Sequence, residues 1–267
     1  MTNPSNKEAS LEPLESKHFR FDCHPEVPCF TECCADLNLA LTPYDILRLK
    51  KRLQLDASQF IDQYAEPAIE QMHRLPRLRL RMNDGGRKPC PFVTEKGCSV
   101  YDDRPSACRI YPLGRATAKS KSGASAVIER FFLVKEEHCK GFEESREWTV
   151  EDWTSDQGLD SYQKFNDLWM EIVTHQGSIG AGDVATRNAQ MFFMASYNLE
   201  AFRRFVFNTS FLQSFEVDDD TVRRIRQDDE ELLEFAIKWV RFALFGEPTM
   251  SIRKEVLAGR ERPTRSP

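Results

Sequence analysis

Eight cysteines hold most of the chemistry this chain can do, and none lies beyond residue 139: Cys23, Cys29, Cys33, Cys34, Cys90, Cys98, Cys108 and Cys139. The first four are crowded together as Cys23-x5-Cys29-x3-Cys33-Cys34. Thiolates this dense, in a chain whose start shows no secretory signal, usually hold a soft metal or an iron–sulfur cluster. Either guest wants about four thiolates converging from two or more loops. All eight cysteines are therefore candidate ligands.

The later cysteines sit in segments suited to that task. Cys90-Pro91-Phe92 and Lys96-Gly97-Cys98 flank a small loop that could present two sulfurs together. Cys108 follows Pro105, which can start a short helix whose N–H groups favour anionic sulfur. Arg104 and Arg109 flank it and would partly offset thiolate charge; the plain alternative is an ordinary surface salt bridge. Cys139 arrives from a strand end and could complete a set. His24 and His138, each beside a cysteine, are reserve ligands, whereas His18, His73 and His175 read as surface or satisfied core residues. Eight cysteines could also form disulfides. The missing export signal and the adjacent Cys33-Cys34, which cannot easily bridge to each other, speak against that.

Composition narrows the function classes. Charged residues are 30% of the 267, with Lys+Arg 37 against Asp+Glu 42 for a net charge of -5. No global basic field exists to attract nucleic acid. The polar start lacks the apolar run of a signal peptide. The apolar stretches around residues 191–195 and 235–245 are short or broken by Lys238 and Arg241, so no membrane span is expected. A reducing cytoplasm is the expected home.

The elements that must position the thiols are partly legible. Thr42-Pro43-Tyr44-Asp45 is a helix start with Ile46, Leu49 and Leu53 on one face, and a second helix opens at Asp56, with Gln59 three residues on. Leu78, Leu80 and Met82 alternate with Arg77, Arg79 and Arg81 as a strand with one wet face. Asn83-Asp84-Gly85-Gly86 supplies a turn and Pro91-Phe92-Val93 a return strand. A further strand is expected over 126–134. Thr149-Val150-Glu151-Asp152 caps the first of the later helices. Leu159, Tyr162, Phe165, Trp169 and Ile172 fall at helical spacing, as do Leu232, Ala236, Trp239 and Ala243. Phe192, Phe193, Tyr197, Phe202 and Phe205 could line a pocket, but core packing is the better reading.

The expected fold class is α+β. A disordered N-terminal arm (1–18) precedes a small cysteine-rich region with short strands and two helices (19–145). A three- or four-helix C-terminal bundle (146–250) and a flexible tail (251–267) follow.

Several segments resemble a bacterial cysteine-cluster family, described as zinc- or iron-chelating domains of CxxCxxCC type. The resemblance is carried by Phe21-Asp22-Cys23, Cys29 through Cys33-Cys34, and Thr42-Pro43-x-Asp45-Ile46-x-Arg48-Leu49. It continues in Cys90-Pro91-Phe92, Gly97-Cys98-x-Val100-Tyr101 and Arg104-Pro105-x-x-Cys108-Arg109-x-Tyr111-Pro112. The first block departs from the family's name in its longer intervals. The resemblance implies metal binding. Few histidines favour an iron–sulfur cluster of [4Fe–4S] type, with a zinc or iron ion as the alternative. The role it implies is redox, metal handling or docking of a protein partner through the C-terminal helices. More distantly the chain is similar to the cysteine-rich part of flagellin lysine methylases, which leaves a cluster-dependent enzyme acting on a protein as the alternative. No catalytic constellation stands out.

Overall fold

Side chains that bond their own backbone decide where the helices begin. A computed structural model describes residues 9–68, 75–119 and 127–260. Thr42 caps the helix Pro43–Leu53 with a full capping box to Asp45, and Asp56 caps Ala57–Tyr64 with another to Gln59. Thr149 accepts from the Asp152 N–H to open Val150–Asp156. These are the sequence-expected starts, and they form because the first N–H groups of a helix have no intrahelical partner. The architecture is α+β, as expected.

The chain divides into two units, each assembled from separated segments. The first comprises residues 1–40 and 80–163, and holds all eight cysteines. In it Ser10–Pro13, Val127–Lys135 and Leu113–Lys119 form an antiparallel sheet in that order. Ser10–Pro13 lies in the stretch read from sequence as an arm; it runs as an edge strand, with Glu12 2.6 Å from Lys135. His18–Arg20 pairs with Glu147–Thr149, which sets Phe19 opposite Trp148. Phe19, Phe21, Leu113, Trp148, Val150 and Trp153 form the core, and Cys139 and Tyr111 pack against it. Both indoles are anchored: Trp148 donates to the Phe21 carbonyl at 2.9 Å and Trp153 to the Ile110 carbonyl at 3.0 Å.

One expectation fails here. The strand Arg77–Leu80 forms, with Leu78 and Leu80 buried, but Pro91-Phe92-Val93 does not return along it. Instead Val93–Thr94 pairs with Gly97–Cys98 in a hairpin of its own. The reason is competition for the backbone. Cys90 N–H donates to the Cys34 carbonyl at 2.9 Å, and Pro89 bridges to Ala35, so this segment is drawn to the first cysteine loop.

The second unit, residues 41–79 and 164–267, contains both early helices and most of the later helical region, while the helix Val150–Asp156 belongs to the first. Its helices include Gly182–Tyr197, Leu199–Asn208, Asp219–Gln227 and Asp229–Phe245. The region after residue 149 is helical as expected but falls into more and shorter pieces. Asn198, Asp218 and Asp228 each cap a new helix, and such local bonds end the one before. Phe192 and Phe202 are completely buried, and Phe205 packs 5.1 Å from Trp239, so these aromatics fill the interior. Leu232, Ala236 and Trp239 are buried, whereas Ala243 is exposed. Tyr44 stacks on Phe165 at 4.6 Å. Arg79 is exposed and paired with Glu66 at 2.6 Å, which makes that strand face a solvated one. Lys254–Arg260 forms a helix inside the segment expected as a tail.

His73, Ala126 and the outer parts of the arm (1–8) and tail (261–267) lie outside the described residues. Among the described residues, no helix is long and apolar enough to cross a membrane.

Candidate metal centre

The cysteine loop from Cys23 to Cys34 is built from successive tight turns. Val27 N–H bonds to the His24 carbonyl, Phe30 to Val27, Glu32 to Cys29 and Cys34 to Thr31, all between 2.9 and 3.1 Å. Thr31 takes a positive φ of 65° to make the last of these possible. The result is a short coil that carries four sulfurs and no regular element.

Two ties hold this coil to the rest of the unit. On one side, Asp22 N–H donates to the Gly141 carbonyl at 3.0 Å, and Lys140 N–H donates to the Cys29 sulfur at 3.1 Å. A Cβ at Gly141 would stand 2.6 Å from the Asp22 carbonyl oxygen and from the Phe21 ring, so only glycine permits this approach. On the other side, the Phe30 ring lies against Gly97 at the hairpin, and the Cys34 carbonyl receives Cys90 N–H. The first tie brings Cys29 to the turn carrying Cys139, and the second brings the backbone of Cys34 to that of Cys90. The Cys33 and Cys34 sulfurs are 3.9 Å apart.

Burial and crowding act together on these thiols. Although Cys23 is exposed as a residue, desolvation of its sulfur first, then the charges of Cys33, Cys29 and Cys139, pushes the thiol up to about 11. Contact with Cys34, then burial, raises Cys33 well above the thiol range. Burial raises Cys90, with Cys98 and Cys33 adding to it. Burial likewise raises Cys139, though Tyr111 and the Gly141 N–H oppose it. Such a group disfavours thiolates until a cation joins it, since each added negative charge repels the others.

Arg104 lies 8% exposed beside Cys98 and Cys108, close enough for both sulfurs to favour its charge, although burial and Arg109 lower its pKa. Its guanidinium donates to the Tyr101 carbonyl at 2.6 Å and to the Gln157 side chain, and lies 3.8 Å from the Tyr101 ring. Arg109 is 7% exposed, donates to the Gln157 carbonyl at 2.5 Å and to the Asp102 carbonyl, and lies over Tyr162. Neither arginine is a surface ion pair, and that alternative is set aside. Cys108 sits in the short helix Ser106–Ile110 that follows Pro105.

Tyr111 precedes a cis proline, and its buried hydroxyl lies against the Cys139 sulfur. Burial, with the Cys139 sulfur beside it, drives this phenol well above its ordinary range. His24 and His138, the reserve ligands, stand 3.7 Å from Glu144 and Glu136 respectively. His175 stacks on Phe245 in the second unit and stands 3.5 Å from Glu247.

Seven of the cysteines are half-buried, Cys23 is exposed, and none is in a disulfide. Among the described residues, no group of three or more cysteine, histidine or carboxylate side chains stands at metal-binding geometry. The donors nevertheless fit a soft metal or cluster in kind. An N–H already faces the Cys29 sulfur, the Tyr111 O–H lies beside Cys139, and a buried cation faces Cys98 and Cys108. Those are the partners that metal-bound thiolates take from a protein. Gln157 and Tyr111 were the residues that sequence reasoning did not assign. Gln157 has no local signal at all, whereas Tyr111 could have been found from its place in the Cys108 motif.

Residues 22–140 match a family model described as "Putative zinc- or iron-chelating domain", of CxxCxxCC type. The matched span contains all eight cysteines. No curated protein and no solved structure gives a significant match.

Proposed function

We propose that residues 22–140, which match the zinc- or iron-chelating family, bind their metal through cysteine thiolates alone and favour an iron–sulfur cluster of [4Fe–4S] type. The observation that supports this most is the gathering of eight unbridged thiols from separate chain segments into one unit. The two nearby imidazoles each stand beside a carboxylate, which leaves sulfur as the abundant donor. All-sulfur ligation suits clusters, and the nearby N–H, O–H and guanidinium groups are of the kind that set a cluster's potential. A zinc ion held by four of the same thiolates would instead make the site structural.

When bound, the cluster would supply one-electron chemistry. The chain's own part is to hold the sulfurs, limit solvent at the half-buried cysteines and offset their charge through Arg104. The role that follows is redox or metal handling in a reducing cytoplasm, with the helical unit as the surface for a protein partner.

The test is purification of the full chain without air, followed by absorbance and by iron, sulfide and zinc analysis. Broad visible absorbance from cluster charge transfer, with matched iron and sulfide, supports the cluster. Zinc without iron replaces it by a structural site, and no metal of either kind overturns the reading.

A further inference from the structure

We propose that Gln157 is a positioning residue of the thiolate centre, a buried neutral clamp that holds Arg104 and Arg109 beside Cys108 without cancelling their charge. This rests on the metal-binding reading above and adds to it a residue outside the span 22–140 that matches the family model.

The clamp is built by the way one helix stops. Gly158, at a φ of 59°, follows the helix Val150–Asp156 and Gln157. Its N–H donates to the Ser155 carbonyl and the Leu159 N–H to the Thr154 carbonyl, both at 3.0 Å. That pair of bonds is a Schellman stop, and it leaves the Gln157 carbonyl outside the helix ladder. The free carbonyl accepts from Arg109 at 2.5 Å, which sets a cation at the negative end of the helix. The Gln157 side chain is 7% exposed and is oriented by its neighbour: its amide N–H donates to Asp156 at 2.8 Å, and its oxygen accepts from Arg104.

Cys108 depends on such a hold. Its helix, Ser106–Ile110, is five residues long and has no side-chain cap, too short to keep its place by its own bonds. It is pinned at Ile110, whose carbonyl accepts from Trp153 at 3.0 Å, and at Arg109, which bonds the Gln157 and Asp102 carbonyls. Trp153 and Gln157 are one turn apart, joined by the Gln157 N–H to the Trp153 carbonyl at 2.9 Å. A single helix end therefore fixes the segment that carries Cys108.

The same bonds decide what charge stands beside the sulfurs. The acceptors that hold the two arginines are the Tyr101, Asp102 and Gln157 carbonyls and the Gln157 amide oxygen, all of them neutral. They fix both guanidiniums but leave both charges standing, away from water. Buried charges require a counter-charge. Cys108 adjoins Arg109 in the chain, and Arg104 lies beside Cys98 and Cys108. Thiolates at a metal supply that counter-charge. A carboxylate at position 157 would take their place.

The experiment follows metal release from the full chain, purified without air, into excess EDTA, with circular dichroism beside it. The variants are Gln157→Glu and the double variant Arg104→Met with Gln157→Met. The glutamate keeps the bond to Arg104 but cancels its charge. The double variant removes both partners together, which spares the fold an orphaned buried group. Both should stay folded and release iron or zinc about tenfold faster than wild type, the scale of losing a ligand's supporting partner. A purely structural bond predicts the wild-type rate for the glutamate, which is an equal acceptor, and that result overturns the proposal. A wild-type rate in the double variant overturns it too, whether or not the glutamate variant folds. A wild-type chain with no metal overturns the metal-binding reading itself, and the proposal with it.

Discussion

Lys140 and Cys29 stand 111 residues apart in sequence, and the backbone N–H of one donates to the sulfur of the other at 3.1 Å. That bond fastens the coil of the first cysteines to the turn carrying Cys139. It depends on Gly141, whose carbonyl receives Asp22 N–H and whose missing Cβ leaves room for the Asp22 carbonyl.

Gly141→Ala should therefore loosen the first cysteine group. The added methyl must displace backbone at 2.6 Å, an overpacking that costs about 1–3 kcal/mol. Reduced metal content together with a lower urea midpoint is expected, and a variant with full metal and an unchanged midpoint would show that this approach is not needed.

Arg109→Glu should unfold the first unit rather than merely retune it. A buried carboxylate would face the Gln157 and Asp102 carbonyls that now accept from the guanidinium. An uncompensated buried carboxylate costs several kcal/mol, and the negative ends of the two carbonyl dipoles make it worse. Circular dichroism and solubility report the loss; a folded, soluble variant would mean the site tolerates the charge by opening to water.

The fold was legible wherever a residue acts on its own neighbours. Thr42, Asp56 and Thr149 announced their helices because a cap bonds within a few residues of itself. The cysteine set was legible from residue type and density alone. The hairpin Val93–Cys98 was misread because the Cys34 carbonyl, far away in sequence, captures Cys90. Gln157 was invisible for the same reason: it carries no motif, and its bonds to Arg104 and Arg109 span about fifty residues. The grouping of residues 41–79 with the late helices was equally hidden, since apolar faces do not name their partners.

A fragment ending at residue 146 should be insoluble or poor in metal. It would lack Trp148, Val150 and Trp153 of the core on which Cys139 packs, and the strand that pairs with His18–Arg20. Losing a single buried tryptophan already costs about 3–5 kcal/mol. A soluble fragment with the metal content of the full chain would show that this core is dispensable to the site.

In the second unit, Lys50 is 5% exposed and paired with Glu200 at 2.5 Å and Asp229 at 3.7 Å. Lys50→Ala should cost about 1.5–3 kcal/mol, because part-exposed Glu200 loses a charged hydrogen bond while Asp229 keeps Arg203. Burial tends to raise the pKa of Asp229, but the Arg203 bond and Lys50 outweigh it and hold the carboxyl below its ordinary range. A depressed carboxylate contributes stability above its unfolded pKa and loses it as pH falls through the folded one. Acid unfolding below about pH 4 should therefore weaken in Asp229→Asn, measured as the slope of stability against pH. An identical slope in both proteins would remove Asp229 from the account.

Sulfur-only ligation is the central claim, and X-ray absorption at the metal edge of the anaerobically purified full chain tests it most directly. The account predicts a first shell of sulfur at about 2.3 Å, with a metal–metal distance behind it if a cluster is present. A first shell holding nitrogen or oxygen scatterers would contradict it, and would return His24 and His138 to the ligand set.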